Sequence, residues 1–166
     1  REKHLDRSLN VSASGFQHGR YFRDVRESLG AIFSGPVEQQ PNAVCDMGCG
    51  DGTFLKEVYE SVRAAGRDLE RYPVTLVAAD FNEQALEVAR RNLSGLPHLT
   101  VTADIGRPQD LLSKLAEAGV DPEKTLHIRS FLDHNRPYIA PMGPPVEGAA
   151  GVYIGETGAA RERAGV

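Results

Sequence analysis

The chain holds only two cysteines among its 166 residues, Cys45 and Cys49. Two thiols do not make a zinc site. Their scarcity fits a reducing compartment, so a cytoplasmic location is expected. There is no block of Lys or Arg: 19 basic residues stand against 23 acidic ones, with a net charge of −4. That balance argues against nucleic acid or an anionic membrane as a partner. No apolar run approaches the ~20 residues of a membrane span, and nothing resembles a secretory signal. The chain begins REKHLDRS without Met and stops at RERAGV without a closing element, so a piece of a longer polypeptide is expected. With 40% hydrophobic and 25% charged residues, it is otherwise an ordinary folded chain, long enough for one domain with a proper core.

Apolar periodicity divides the chain into alternating strands and helices. Residues 1–19 are polar and irregular. Phe22, Val25, Leu29, Ile32 and Phe33 recur at helical spacing, and Gly35-Pro36 ends that run. Asn42 to Cys45 reads as a short buried strand. Phe54, Leu55, Val58, Tyr59 and Val62 share one helical face, with Gly66 placed to close it. Val74 to Ala79 is a second buried strand, ending at Asp80, and Asn82 can cap a helix carrying Leu86, Ala89 and Leu93. His98 to Ala103 is a third strand, followed by a helix marked by Leu111, Leu112 and Leu115 and closed by Gly119. Thr125 to Arg129 is a fourth, and a short strand is expected at Val152 to Ile154. This alternation predicts an α/β fold with an open, mostly parallel sheet, right-handed crossovers and helices on both faces. Ligands in such sheets bind beyond the carboxyl ends of the strands. Asp46, Asp80, Asp104 and Asp133 all fall just after predicted strands.

Between the first strand and its helix lies DMGCGDGTF, with Gly48, Gly50 and Gly52 at alternate positions. Glycines there allow a tight turn and close approach of a ligand to the backbone. A dinucleotide site uses G-x-G-x-x-G to hold a pyrophosphate at a helix N-terminus. Here the third glycine comes one residue early, and Thr53 stands in its usual place. Asp46 and Asp51 would repel a pyrophosphate and suit a cationic or zwitterionic head. Asp80 can accept both hydroxyls of a ribose, although its separation from Gly52 exceeds the ~20 residues of the dinucleotide pattern. The polar insert Gly66 to Pro73 explains the extra length. Asp104 could accept from an exocyclic adenine amine. Adenine, ribose and a cationic amino-acid tail without phosphate together describe S-adenosylmethionine.

At these residues the sequence resembles a known family. Asp46-Met-Gly-Cys-Gly-Asp-Gly52 is similar to the first motif, D/E-x-G-x-G-x-G, of class I S-adenosylmethionine-dependent methyltransferases. Ala79-Asp80-Phe81-Asn82 is similar to their second motif and Ala103-Asp104-Ile105 to their third. The resemblance covers roughly residues 40–130 and implies a Rossmann-like core. It implies that Gly48 and Gly50 line the methionine part of the cofactor, that Asp80 takes the ribose and that Asp104 takes the adenine amine. Asp46, Gly52, Phe81 and Ile105 join them as expected cofactor residues. CDMGCGDGTFLKEVY and RSFLDHNRPY further resemble the methyltransferase domains of polyketide synthase loading modules, which methylate a malonyl group on an acyl carrier protein. That group implies dependence on iron or manganese, and neighbouring synthase domains as partners.

Asp133-His134-Asn135-Arg136-Pro137-Tyr138 follows the fourth strand, where a transferred methyl would face its substrate. Asn and Pro form turns there, but the density of Asp, His, Arg and Tyr also fits a reaction centre. His134, Arg136 and Tyr138 are the candidate catalytic residues, and His134 with Asp133 the candidate ligands for Fe2+ or Mn2+. Residues 1–40 are expected to form an N-terminal helical extension that folds over the cofactor as a lid, carrying Gln17-His18. Residues 41–166 are expected to form the core, short at its C-terminal end. The residues leave other readings open: a nicotinamide oxidoreductase, a metal-free methyltransferase acting on oxygen or nitrogen of a small molecule, and a non-catalytic scaffold within a larger synthase.

Overall fold

A computed structural model of the chain describes residues 19–129, 151–154 and 160–163. Helix α1 spans Gly19–Phe33, followed by β1 (Ala43–Met47), α2 (Thr53–Ala64), β2 (Thr75–Asp80) and α3 (Glu83–Asn92). Strand β3 (His98–Thr102), α4 (Pro108–Glu117) and β4 (Thr125–Ile128) complete the series. Short 3-10 turns at Val37–Gln39 and Pro122–Lys124 lead into β1 and β4. The chain divides into two compact units, Arg1–Ile128 and Arg129–Val166. In the second, β5 (Gly151–Ile154) pairs antiparallel with β6 (Ala160–Arg163).

The first unit is built on a parallel sheet in the order β3-β2-β1-β4. The chain steps outward from β1 to β2 and β3, then returns to place β4 on the other side of β1. That reversal opens a crevice above the carboxyl ends of β1 and its neighbours, the usual ligand position in open α/β sheets. Val44, Leu76 and Ala78 point to one face, where they meet Leu29 and Phe33 of α1, Leu55 and Val58 of α2, and Leu86 and Ala89 of α3. Ala43, Cys45, Met47, Val77 and Ala79 point to the other, where Leu111 and Leu115 of α4 cover them. Every residue of β1 is buried as a result, which is why its sequence runs apolar without alternating. This is the Rossmann-like sheet that the sequence predicts.

Strand β1 runs two residues beyond the predicted Cys45. Asp46 pairs with Ala78 and Ile128, and Met47 with Ala79. A carboxylate inside a strand is a weak strand signal, and the two neighbouring ladders outweigh it. Strand β6, with the sequence Ala-Arg-Glu-Arg, was not anticipated, because charged residues hide strand propensity.

The polar insert Gly66 to Pro73 is a structural clamp. Arg67 is only 7% exposed. Its guanidinium donates to Oε1 of Gln40, to the carbonyls of Pro41 and Tyr72, and at longer range to that of Pro73. It also stacks over the Phe33 ring at 5.7 Å. Gln40 in turn donates to the carbonyls of Phe33 and Gly35. One side chain thus ties the end of α1 to the backbone entering β1 and β2, at the sheet edge opposite the crevice. At mid-length α1 is joined to the start of α2 by Arg26 and Glu57, 3.7 Å apart. No helix among the described residues is long and apolar enough to cross a membrane.

Candidate cofactor site

The glycine loop leaves β1 through three left-handed residues, Gly48 (φ 89°), Gly50 (φ 54°) and Gly52 (φ 77°). Only glycine takes this conformation repeatedly without steric cost. The alternation turns the loop's amides inward. Those of Gly48 and Cys49 donate to the carbonyl of Ala79 at 2.7 and 3.2 Å. The Gly50 amide donates to Oδ2 of Asp80 at 3.3 Å. The Gly52 amide donates to the Cys49 carbonyl at 3.0 Å, and the Thr53 amide to Oδ1 of Asp51, also at 3.0 Å. A pyrophosphate loop aims such amides at its ligand. Here they hold the loop to β2 and cap the following helix, so the turn presents no comparable anion cradle.

Asp80 ends β2 at the carboxyl edge of the sheet. The Asn82 amide donates to its Oδ1 at 2.9 Å, and the Gly50 amide reaches Oδ2. Each oxygen takes one backbone donor and keeps acceptor capacity, since a carboxylate offers about four lone-pair sites. The half-buried carboxylate is therefore fixed in orientation yet able to accept from vicinal hydroxyls. Phe81, the next residue, is 62% exposed and provides an aromatic ring beside that carboxylate.

Asp104 lies just past β3. The Ala103 amide donates to the Asp80 carbonyl at 3.0 Å, which fixes the two strand ends side by side. The Asp104 carboxylate is exposed, with Oδ1 accepting from the Gly106 amide at 2.8 Å. Ile105 is half-buried and packs with the cluster of Val101 and Leu111. The third glycine has a packing role. A Cβ on Gly52 would lie 3.2 Å from Cβ of Ala89 and 3.4 Å from Cδ1 of Leu93, so its bareness lets the loop sit against α3.

Asp46 is 1% exposed, within β1 rather than at the loop surface. Burial, reinforced by the Asp46 charge, pushes the Cys45 thiol up to about 12. Burial pushes Cys49 up as well, aided by Asp46, then Asp80 and Cys45. Both thiols are therefore protonated small hydrophobes in a region of negative charge, as their sequence positions imply. The same charge disfavours an anionic ligand and favours a cationic one.

The structure thus gathers Asp46, Gly48, Gly50, Gly52, Asp80, Phe81, Asp104 and Ile105 along the carboxyl ends of β1, β2 and β3. Asp133, His134, Arg136 and Tyr138 lie outside the described residues, as do Gln17 and His18. Among the described residues, no three His, Cys, Asp or Glu side chains come together as a metal site. Asn92 escapes a sequence reading. It donates to the Asp51 carbonyl at 2.9 Å, but an asparagine closing a helix is too common to draw notice.

A methyltransferase family model, that of the AprA MT2-like domain, matches residues 2–165. The chain belongs to this family, within the class I S-adenosylmethionine-dependent methyltransferases. Among solved structures it is similar to the plantazolicin methyltransferase BamL in complex with a triazolic desmethylPZN analog and SAH, at 16% identity and a TM-score of 0.40. That match covers 61% of this chain and 35% of the other. The plantazolicin methyltransferase BpumL, in complex with a monoazolic desmethylPZN analog and SAH, matches at 18% identity and a TM-score of 0.38, over 59% of this chain and 35% of the other. The chain thus spans about a third of the length of these structures. No curated protein matches it.

Proposed function

We propose that the protein carrying this domain moves the methyl group of S-adenosylmethionine to the carbon of a malonyl-type acyl group held on an acyl carrier protein. Neighbouring synthase domains would pass that substrate along. The observation that carries the cofactor half is the pairing of an inward-turned glycine loop with the oriented carboxylate of Asp80. The acyl half rests on the resemblance of RSFLDHNRPY to loading-module methyltransferases.

In this reading Asp80 accepts the two ribose hydroxyls and Phe81 lays its ring against adenine. Asp104 accepts from the adenine amine, with Ile105 beside it. Gly48, Gly50 and Gly52 give the methionine part close access to the backbone, and Asp46 supplies negative potential beneath the sulfonium. S-adenosylmethionine provides an electrophilic methyl. The substrate carbon would bond to that methyl while the electron pair of the methyl–sulfur bond leaves with sulfur. The protein's task is to hold carbon, methyl and sulfur in line. The substrate carbon must first lose a proton. His134 would take it as a base; alternatively His134 and Asp133 would hold an Fe2+ or Mn2+ ion, which would supply Lewis-acid stabilisation of negative charge while the proton passes to water. Arg136 and Tyr138 orient the acyl carboxylate. Residues 1–40 would carry the lid over the cofactor, and α1 is anchored beside α2 through Arg26 and Glu57 and at its end by Gln40.

Calorimetric titration of S-adenosylhomocysteine tests the cofactor half. Binding by the wild type that is lost in Asp80→Ala supports the reading, and a folded wild type that does not bind sinks it. Metal analysis and carbon methylation of a malonyl carrier protein test the other half. A His134→Ala variant that kept full metal content and full carbon methylation would remove His134 from the mechanism.

A further inference from the structure

The glycine loop is held at two places. Its first half is bonded to the end of β2 through the Gly48, Cys49 and Gly50 amides. Its second half is closed by its own turn bonds, from the Gly52 amide to the Cys49 carbonyl and from the Thr53 amide to Asp51 Oδ1, and meets α3 through two contacts. Gly52 packs its bare Cα against Ala89 and Leu93, and the Asn92 side-chain amide donates to the Asp51 carbonyl at 2.9 Å. At its other end α3 begins immediately after Asp80, with Asn82 as its cap: Asn82 Oδ1 accepts from the Gln84 amide, and the Asn82 amide donates to Asp80. One ten-residue helix therefore joins the carboxylate at its N-terminus to the far half of the loop at its C-terminus. We infer that Asn92 is a positioning residue that sets the distance between the second half of the glycine loop and Asp80, and so the fit of the amino-acid portion of the cofactor relative to its adenosine portion.

The chemistry is specific to an amide donor. The Asp51 carbonyl sits between Gly50 and Gly52, two residues with positive φ that give the loop little stiffness of their own. Without the Asn92 bond, the second half of the loop keeps its own turn bonds but loses its hydrogen bond to α3, and it can shift as a unit away from that helix. The Asp80 carboxylate would stay in place, because the Asn82 amide and the start of α3 hold it independently. Loss of Asn92 should therefore weaken contacts made by the loop and spare contacts made by Asp80 and Phe81.

This inference rests on the S-adenosylmethionine reading. The test compares two ligands by calorimetry on the 166-residue chain: S-adenosylhomocysteine, and 5′-methylthioadenosine, which keeps the adenosine but lacks the amino-acid group. Asn92→Asp puts an acceptor opposite a carbonyl, and Asn92→Ala removes the donor. Arg91→Ala, on the neighbouring exposed position, is the control, with circular dichroism confirming the fold of each variant. The expected result is about tenfold weaker S-adenosylhomocysteine binding in both Asn92 variants, the value of one lost hydrogen bond. Methylthioadenosine affinity should stay within about twofold, and Arg91→Ala should match the wild type. Unchanged S-adenosylhomocysteine affinity, or equal weakening of both ligands, would overturn the positioning role. A wild type that binds neither ligand would instead remove the cofactor reading, and this inference with it.

Discussion

Nη1 of Arg67 donates to Oε1 of Gln40 at 3.0 Å across 27 residues of sequence. The pair is buried, and the guanidinium donates to neutral oxygens, those of Gln40, Pro41, Tyr72 and Pro73. Desolvation accordingly lowers the Arg67 pKa from its ordinary value. Removing the side chain leaves the Pro41 and Tyr72 carbonyls and the Gln40 amide oxygen without their donor. Arg67→Met is expected to lower unfolding free energy by about 2–4 kcal/mol, the cost of removing the donor from one buried and several part-buried acceptors. Arg67→Lys should recover only part, because a single ammonium cannot reproduce the planar fork. Urea denaturation with a shared slope reads both values. A loss below about 1 kcal/mol for Arg67→Met would mean that water reaches these carbonyls.

Gly52 combines positive φ with a close neighbour. Gly52→Ala is expected to cost about 1–3 kcal/mol, from left-handed strain plus contact with Ala89. Pairing it with Ala89→Gly should relieve the contact with the Ala89 Cβ but neither that with its Cα, 3.3 Å away, nor the strain. A double-mutant cycle in thermal or urea unfolding separates the two contributions. A coupling energy near zero would show that the loop yields rather than clashes.

Phe81 is 62% exposed. Phe81→Ala should weaken S-adenosylhomocysteine binding by about tenfold or more, in line with ~1–3 kcal/mol for stacking of a base on an aromatic side chain. A residue this exposed should cost little stability when truncated, so the melting temperature without ligand should barely move. Equal affinities in the two proteins would place the adenine elsewhere.

The buried thiols give a pH signature. The Cys45 pKa rises from 9.0 to about 12 on folding, and Cys49 is raised as well. Between these values the unfolded chain has released protons that the folded chain retains. Stability is thus complete below about pH 9 and falls as pH rises toward 12, with a limiting slope of about 1.4 kcal/mol per pH unit for each thiol. Denaturation midpoints measured from pH 8 upward should decline more steeply in the wild type than in a Cys45→Ala, Cys49→Ala protein. Both thiols should resist Ellman's reagent at pH 8 until the chain is unfolded. Rapid reaction in the native state would contradict their burial.

Much of the fold was legible because its signals are local. Buried strands read as apolar runs at Val44 and at Leu76 to Ala79. Helical faces recur at Val58 and Val62 or at Leu86 and Ala89. Gly66 and Gly119 mark helix ends where the chain turns left-handed. The cofactor motifs were equally visible, since each acid stands at or just after a strand. Strand β6 was not, since its Arg-Glu-Arg alternation gains its meaning only from pairing with β5. The clamp at Arg67 was hidden too. In sequence it is one charge in a polar insert, and its partners are mostly backbone carbonyls, which every residue carries.

The sequence by itself determined the alternation of strands and helices, the left-handed glycine turn and the acids at the strand ends, because each depends on neighbours within a few residues. Only the tertiary structure decided where the loop's amides point, which glycine serves packing, that Asp46 is enclosed within β1, and that Asn92 and Arg67 hold distant segments together. Those outcomes depend on contacts between residues far apart in the sequence, such as Asp46 with Ile128 and Asn92 with Asp51. Such contacts are set by how the helices settle on the sheet, and no local pattern of residue types encodes that geometry.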